Sequence, residues 1–133
     1  RWADRYDVTY TPTKSTASFW DFTYELNDIK YYCEMKQRNF TLDYAVQNYT
    51  DGLLLEMHKY ERILRRTKNE KGSQGLYFNF FNDDKALVFN LNKLKIDKWQ
   101  WKTMPESSEF SRRRFVHKYV TFIDYSKGKL FYI

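Results

Sequence analysis

The sequence contains few of the residue types that mark specialised protein classes. Its 133 residues include one cysteine, two prolines and four glycines. The single Cys33 cannot form an internal disulfide or a zinc site built on several cysteines, and it fits a reducing compartment such as the cytoplasm. The scarcity of glycine and proline excludes a collagen-like or low-complexity chain.

Long hydrophobic runs are also absent. No apolar stretch approaches the roughly 18 residues that a membrane span needs, so we expect no membrane partner. Aromatic residues, in contrast, make up 20% of the chain. Disordered segments lack aromatic side chains, so this composition predicts a folded protein, and the length suits a single domain.

The charge balance is basic. Lysine and arginine number 23 against 17 aspartate and glutamate residues, which gives a formal charge of +6. Such a surface can bind a polyanion by releasing counterions, and it can equally serve to keep a small domain in solution. The basic residues cluster in two places, at Arg62, Arg65, Arg66, Lys68 and Lys71, and at Arg112, Arg113 and Arg114.

Hydrophobic periodicity predicts a mixed α/β domain around one sheet. Leu53, Met57, Tyr60 and Leu64 recur at helical spacing, which predicts a helix from about Asp51 to Lys68. Residues 42–49 form a separate helical turn, and residues 98–114 resemble a long loop. The expected strands are residues 6–11, 18–26, 29–37, 76–81, 85–91, 115–123 and 129–133.

One strand carries a candidate site. Glu34 and Lys36 are two residues apart in the predicted strand 29–37, so their side chains emerge on the same face, opposite Cys33. A carboxylate beside an ammonium group can hold a divalent cation and orient a water molecule. An ordinary exposed pair of charges is the alternative explanation.

The preceding hairpin adds a second carboxylate to this face. If Asn27 and Asp28 form a two-residue turn, Leu26 pairs with Ile29 and Asp21 lies across from Glu34. Directly opposed carboxylates repel each other by roughly 0.2–1 kcal/mol. A bound cation would turn that repulsion into a binding site, because hard cations prefer carboxylate oxygens.

Four segments together resemble a known family. They are Asp4-Arg5-Tyr6-Asp7-Val8, Cys33-Glu34-Met35-Lys36-Gln37-Arg38, Glu56-Met57-His58-Lys59-Tyr60 and Leu76-Tyr77-Phe78-Asn79-Phe80-Phe81. The pattern is similar to the PD-(D/E)XK nuclease superfamily, in particular its small phage- and prophage-type members. This resemblance implies a restriction-endonuclease-like core over residues 4–91, with a mixed central β-sheet flanked by helix, and extra C-terminal β-strands in residues 92–133.

The resemblance also implies a function and a set of site residues. Members of this superfamily hydrolyse phosphodiester bonds of DNA with Mg²⁺ or Mn²⁺. An aspartate, Glu34 and the carbonyl of Met35 would hold the metal, and Lys36 would assist the attacking water. Asp7 fits the family's pattern before the first strand and Asp21 fits the hairpin geometry, so both are candidates for the aspartate.

Further residues would surround this site or bind the substrate. Arg38, Glu56 and Lys59 would support the catalytic residues, the last two from the following helix. The residues implied to contact DNA phosphates are Arg62, Arg65, Arg66, Arg112, Arg113 and Arg114.

The resulting hypothesis is a metal-dependent DNA endonuclease of a phage or mobile element. It would act in the cytoplasm of a bacterial or phage-infected cell, and the resemblance leaves a homodimer open. The alternative is a catalytically silent nucleic-acid-binding or assembly module on the same fold, since a fold alone does not establish a function.

Overall fold

Two β-sheets organise the part of the chain that the structure describes. The computed structural model describes residues 10–12, 21–105 and 115–133. The helices are α1 (Leu42–Asn48) and α2 (Met57–Asn69), with a 3₁₀ turn at Tyr125–Lys127. The strands are β1 (Tyr10–Pro12), β2 (Phe22–Leu26), β3 (Ile29–Gln37), β4 (Leu53–Glu56), β5 (Ser73–Phe80), β6 (Lys85–Asn90), β7 (Gln100–Pro105), β8 (Phe115–Ile123) and β9 (Lys129–Tyr132). The main sheet has the order β1-β2-β3-β5-β6-β9, and the second has the order β4-β8-β7.

The β2–β3 hairpin has the predicted register. Asn27 and Asp28 have positive φ angles of 52° and 65°, as a tight two-residue turn requires. Leu26 pairs with Ile29 and Phe22 pairs with Cys33. The pairing therefore follows the register that brings Asp21 beside Glu34.

The centre of the main sheet is a parallel pair. β3 and β5 run in the same direction, with Lys30 beside Ser73 and Gln37 beside Phe80. Parallel strands need a long crossover, which α1, β4 and α2 provide. Helix α2 lies close on the sheet at Gly75, where a Cβ atom would come within 2.2 Å of the Ile63 side chain. A glycine is needed there because no side chain fits beneath the helix.

The two faces of the main sheet bury different sets of side chains. The face toward α2 includes Tyr32, Tyr77 and Phe89, which pack with Leu55 of β4 and Ile63 of α2. The opposite face includes Phe22, Cys33, Phe78 and Val88. Cys33 is a buried free thiol, as its position on the apolar side of the strand predicted.

Two predicted elements were wrong. The helix expected from Asp51 begins only at Met57, because Leu53–Glu56 form β4 and pair antiparallel with β8. The expected loop over residues 98–114 contains β7, which also pairs with β8. Both segments take their structure from a distant partner strand, which local periodicity does not reveal.

The remaining predicted elements agree with the structure where it describes them. The hairpin of β5 and β6 turns at residues 82–84, and residues 42–49 contain α1. Residues 115–123 and 129–132 are strands, although β8 joins the second sheet and β9 joins the main one. Residues 6–9 and 18–20 of two predicted strands lie outside the described residues. Neither described helix is long and apolar enough to cross a membrane.

The connection into β4 generates a stability prediction. Gly52 has a φ of +111°, and a Cβ atom there would lie 2.2 Å from the Ile123 carbonyl oxygen. We expect Gly52→Ala to lower the free energy of unfolding by about 3 kcal/mol or more, because backbone strain adds to a backbone clash. Urea unfolding monitored by circular dichroism measures the loss.

A second glycine provides the matched control. Gly72 also has a positive φ, +83°, but a Cβ atom there would meet nothing within 4 Å. Gly72→Ala should therefore cost only the strain of about 1–2 kcal/mol. Equal losses in the two variants would contradict the close approach of Gly52 to β8.

Candidate active site

A pocket of about 180 Å³ opens where the two sheets and helix α2 meet. Strand β3 contributes one wall, the junction of β4 with α2 another, and β7 reaches it through Met104. The lining residues are Glu34, Met35, Lys36, Arg38, Leu54, Glu56, Lys59, Tyr77 and Met104. The pocket therefore collects the charged residues of the Glu-x-Lys segment, Lys59 of α2, and Glu56, which ends β4 and does not lie in the helix as predicted.

Strand alternation sets the direction of the β3 side chains. Glu34 and Lys36 point to the pocket, whereas Cys33 is buried on the opposite face. The Met35 side chain lies on that other face and is 50% exposed. The predicted placement of Glu34 and Lys36 opposite Cys33 is confirmed.

Asp21 is held beside Glu34 by backbone hydrogen bonds. Its N–H donates to the Cys33 carbonyl at 2.8 Å, and its Oδ2 accepts from the Met35 N–H at 2.8 Å. Asp21 Oδ2 is thereby fixed at the residue that follows Glu34 on β3. An exposed carboxylate thus lies next to the buried Glu34.

Glu34 is more buried than an isolated strand position would be. Only 6% of the residue is accessible, so Glu34 does not fit the alternative explanation of an ordinary exposed pair of charges. The Lys59 Nζ lies 2.9 Å from Glu34 Oε1. Burial nevertheless raises the pKa of Glu34 to about 7, and Asp21 adds to the rise while Lys59 opposes it. The carboxyl group is therefore poised between its neutral and charged forms near neutral pH.

Lys59 belongs to a chain of alternating charges. Its Nζ also lies 3.5 Å from Glu56 Oε2, and Lys118 Nζ lies 2.6 Å from Glu56 Oε1. Although burial works against its charge, the Glu34 and Glu56 carboxylates raise the pKa of Lys59. The predicted approach of Glu56 and Lys59 to Glu34 is therefore present in the structure.

Sequence reasoning missed Lys118. It lies on β8, outside the segments that carry the resemblance, and reaches Glu56 only because β8 pairs with β4. No local pattern around residue 118 distinguishes it from an exposed lysine on a strand. Only the pairing of the second sheet could have found it.

Lys36 differs from the other cations of the pocket. Among the described residues it forms no ion pair within 4 Å, whereas Lys59 and Lys118 each contact a carboxylate. Burial lowers the pKa of Lys36, with further contributions from Arg38 and Lys59. An ammonium group in this state is available to a ligand and releases its proton more readily than a lysine in water.

Arg38 ties the pocket wall together. Its guanidinium donates to Asn79 Oδ1 at 3.0 Å, to the Leu54 carbonyl at 3.1 Å and to the Tyr77 hydroxyl at 3.1 Å. These bonds connect β3, β4 and β5 directly. Arg38 thus supports the pocket by fixing the distance between the two sheets.

The remaining predicted site residues that the structure describes do not line the pocket. Arg62 and Arg65 are exposed on α2. Arg66 donates to the Tyr32 hydroxyl at 3.1 Å and pairs with Glu70 at 3.7 Å, so its charge serves a local contact. Asp7, together with Arg112, Arg113 and Arg114, lies outside the described residues.

The donor set suits a hard cation that keeps part of its water shell. Within residues 10–12, 21–105 and 115–133, no three acidic, histidine or cysteine side chains form a complete metal cage. Asp21 and Glu34 offer two neighbouring carboxylates, which is the number of protein carboxylates that Mg²⁺ commonly uses beside water and phosphate oxygens. The residues present therefore fit Mg²⁺ or Mn²⁺.

Comparison with known proteins gives no match to this chain among family models, curated proteins or solved structures.

The raised pKa of Glu34 generates a prediction on stability. The folded chain keeps a proton that the unfolded chain releases near pH 4.5, so this group's contribution to the free energy of unfolding falls from about pH 4.5 to about pH 7. Glutamine does not titrate. We expect Glu34→Gln to gain stability relative to the wild type across that interval, measured by urea unfolding in EDTA.

Glu25→Gln is the matched control on the same hairpin. Glu25 is exposed and pairs with Lys30 at the far end of β2. Because the change removes the same negative charge from an exposed position, it measures what the loss of charge alone does to stability. A pH dependence of stability for Glu34→Gln that equals the one for Glu25→Gln would show that the Glu34 carboxyl does not titrate abnormally.

Proposed function

We propose that this chain is a metal-dependent DNA endonuclease of the PD-(D/E)XK superfamily, associated with a phage or mobile element. The observation that carries the proposal is that the Asp21 carboxylate, bound to the Met35 N–H, lies next to Glu34 and Lys36 on β3. The Lys36 ammonium group forms no ion pair within 4 Å among the described residues. Two carboxylates and one available ammonium group are what a metal-assisted attack on a phosphodiester requires.

The order of the elements supports the same class. A Glu-x-Lys-x-Arg segment is most informative when a strand led by an aspartate precedes it and a helix follows. Here Asp21 directly precedes β2, the segment begins in β3, and α2 follows before the parallel strand β5. The mixed sheet with a helical crossover is compatible with a restriction-endonuclease-like core.

The proposed roles follow from position and charge. Asp21, Glu34 and the carbonyl of Met35 would hold Mg²⁺ or Mn²⁺, which activates a water molecule and neutralises charge on the phosphate when bound. Asp21 takes the aspartate role in this proposal because it lies beside Glu34. Lys36 would bind a phosphate oxygen or take a proton from the attacking water, as its lowered pKa favours. Lys59 would hold Glu56 once Glu34 turns to the metal.

The ion pair that Lys59 forms with Glu34 also favours the alternative function, a catalytically silent binding module. Its ammonium group already neutralises Glu34 at 2.9 Å, so the carboxylate pair is partly compensated without a metal. A catalytically silent nucleic-acid-binding module could keep this ion pair as a structural element. The two functions differ in whether a divalent cation displaces Lys59 from Glu34.

Glu34→Gln tests the enzyme hypothesis. Glutamine keeps the size and hydrogen-bonding capacity of the side chain but loses the charge that attracts the cation. We expect Mg²⁺- or Mn²⁺-dependent cleavage of DNA to fall at least about a hundredfold, which is the scale of removing a central catalytic group. Glu25→Gln should cleave like the wild type. The measurement is nicking and cleavage of supercoiled, linear and branched DNA, with EDTA as the blank.

Thermal unfolding of the same proteins separates the two hypotheses. An enzyme that binds Mn²⁺ should melt at a higher temperature in its presence, and Glu34→Gln should lose this shift, because a ligand stabilises only the state that it binds. No cleavage and no shift for the wild type would select the silent module. Equal cleavage by the wild type and Glu34→Gln would remove Glu34 from the mechanism.

A further inference from the structure

A second and larger cavity lies beside the end of β8, apart from the candidate active site. Its volume is about 440 Å³, and its walls are segment 93–98 and residues 121–124 with residue 127. Four lysines and two aspartates line it, namely Lys93, Lys95, Lys98, Lys127, Asp97 and Asp124. The cavity therefore carries an excess of positive charge, and the proposed cleavage chemistry does not use it.

The packing of segment 93–98 leaves its lysines exposed. Leu94 and Ile96 pack against the core, whereas Lys93 and Lys95 beside them are exposed. The Thr121 hydroxyl donates to the Lys98 carbonyl at 2.8 Å and anchors the segment to β8. Partly buried apolar neighbours and this hydrogen bond thus attach the lysine-bearing segment to the rest of the fold.

One of the two opposing carboxylates is already engaged. Asp124 Oδ1 accepts from the Ser126 N–H at 2.8 Å and from the Ser126 hydroxyl at 2.7 Å, which caps the 3₁₀ turn. These hydrogen bonds fix the Asp124 carboxylate at the start of the 3₁₀ turn, where it keeps its negative charge. With four lysines against two aspartates, the cavity still has an excess of positive charge.

The positive charge continues toward the candidate active site. Lys102 of β7 pairs directly with Lys118 of β8, although like charges in opposed positions destabilise a sheet. Lys118 contacts Glu56 in the site, and the Lys102 Nζ lies 5.2 Å from the centre of the Phe122 ring. Phe122 lines the cavity and pairs with Leu54, which lines the candidate site.

We propose that the lysine-lined cavity and Lys102 form a binding site for the phosphate backbone of DNA, which holds the substrate strand as it leaves the candidate active site. The inference rests on the proposed function for the identity of the polyanion. From Lys118 to Phe122 the strand rises about 13 Å, which matches about four nucleotides along a duplex. Lysines contact phosphates without reading sequence, so this site sets position rather than specificity.

The experiment compares two double variants with the same change in net charge. The cavity variant is Lys95→Gln with Lys127→Gln. The control is Lys30→Gln with Lys85→Gln, because Lys30 pairs with Ser73 and Lys85 pairs with Tyr132 in the main sheet, and neither lysine lines the cavity or the candidate active site. Fluorescence anisotropy with a labelled duplex in EDTA measures binding without cleavage, over a series of salt concentrations, and thermal unfolding verifies that each variant folds.

We expect the cavity variant to bind at least about tenfold more weakly, with a salt dependence that is less steep by about 0.9 for each phosphate that the substituted lysines no longer neutralise. The control should bind within about twofold of the wild type, because its lysines do not line the cavity. Equal weakening in both variants would show that only net charge matters and would overturn the inference. Unchanged binding by the cavity variant would also overturn it.

Cleavage by the same proteins distinguishes this inference from the proposed function. If the wild type cleaves DNA with Mg²⁺ while the cavity variant binds normally, the binding site is wrong and the nuclease stands. If the wild type binds DNA through the cavity but never cleaves it, the binding site stands and the nuclease is wrong. A wild-type protein that binds no DNA would overturn both, even if its cavity binds free phosphate.

Discussion

The candidate site depends on the neutralisation of a buried carboxylate. Glu34 is almost fully enclosed between β3 and α2, and a carboxylate removed from water must bind a proton, an ammonium group or a metal cation. The surroundings of Glu34 allow all three ways of neutralising its charge. Burial raises the pKa toward neutrality, Lys59 supplies an ammonium group at 2.9 Å, and Asp21 adds the second carboxylate that a cation would need.

The second sheet contributes to the neutralisation of charge around Glu34 as much as the main sheet does. Lys118 of β8 contacts Glu56, and Arg38, which directly follows β3, contacts the Leu54 carbonyl of β4. The Arg38 bond joins the two sheets across the pocket. The Lys118–Glu56 contact lies within the second sheet and positions Glu56, which together with Glu34 holds Lys59. Residues 92–133, which the resemblance leaves out of the core, thus contribute directly to the electrostatics of the site.

Local chemistry was sufficient to predict the hairpin and the site segment. The Asn27-Asp28 turn fixes the register, and once the register is fixed, strand alternation decides that Glu34 and Lys36 share a face with Asp21 nearby. The burial of Glu34 could not be predicted in this way, because it depends on how α2 packs. The same limit applies to β4. Its residues continue the helical spacing of the segment that follows, and they form a strand only because Leu53 and Leu55 pair with β8, about 70 residues later in the chain.

The ion pair between Lys59 and Glu34 links stability to function. A metal that binds Glu34 must compete with Lys59, so a tight ion pair lowers the apparent affinity for the cation. Glu56 lessens this conflict, because at 3.5 Å it offers Lys59 a second carboxylate close to the first. Lys118 in turn keeps Glu56 charged, since its hydrogen bond lowers the pKa of Glu56 although burial opposes this. The alternating chain from Lys118 to Glu34 would therefore let a cation bind without leaving an unpaired ammonium group at Lys59.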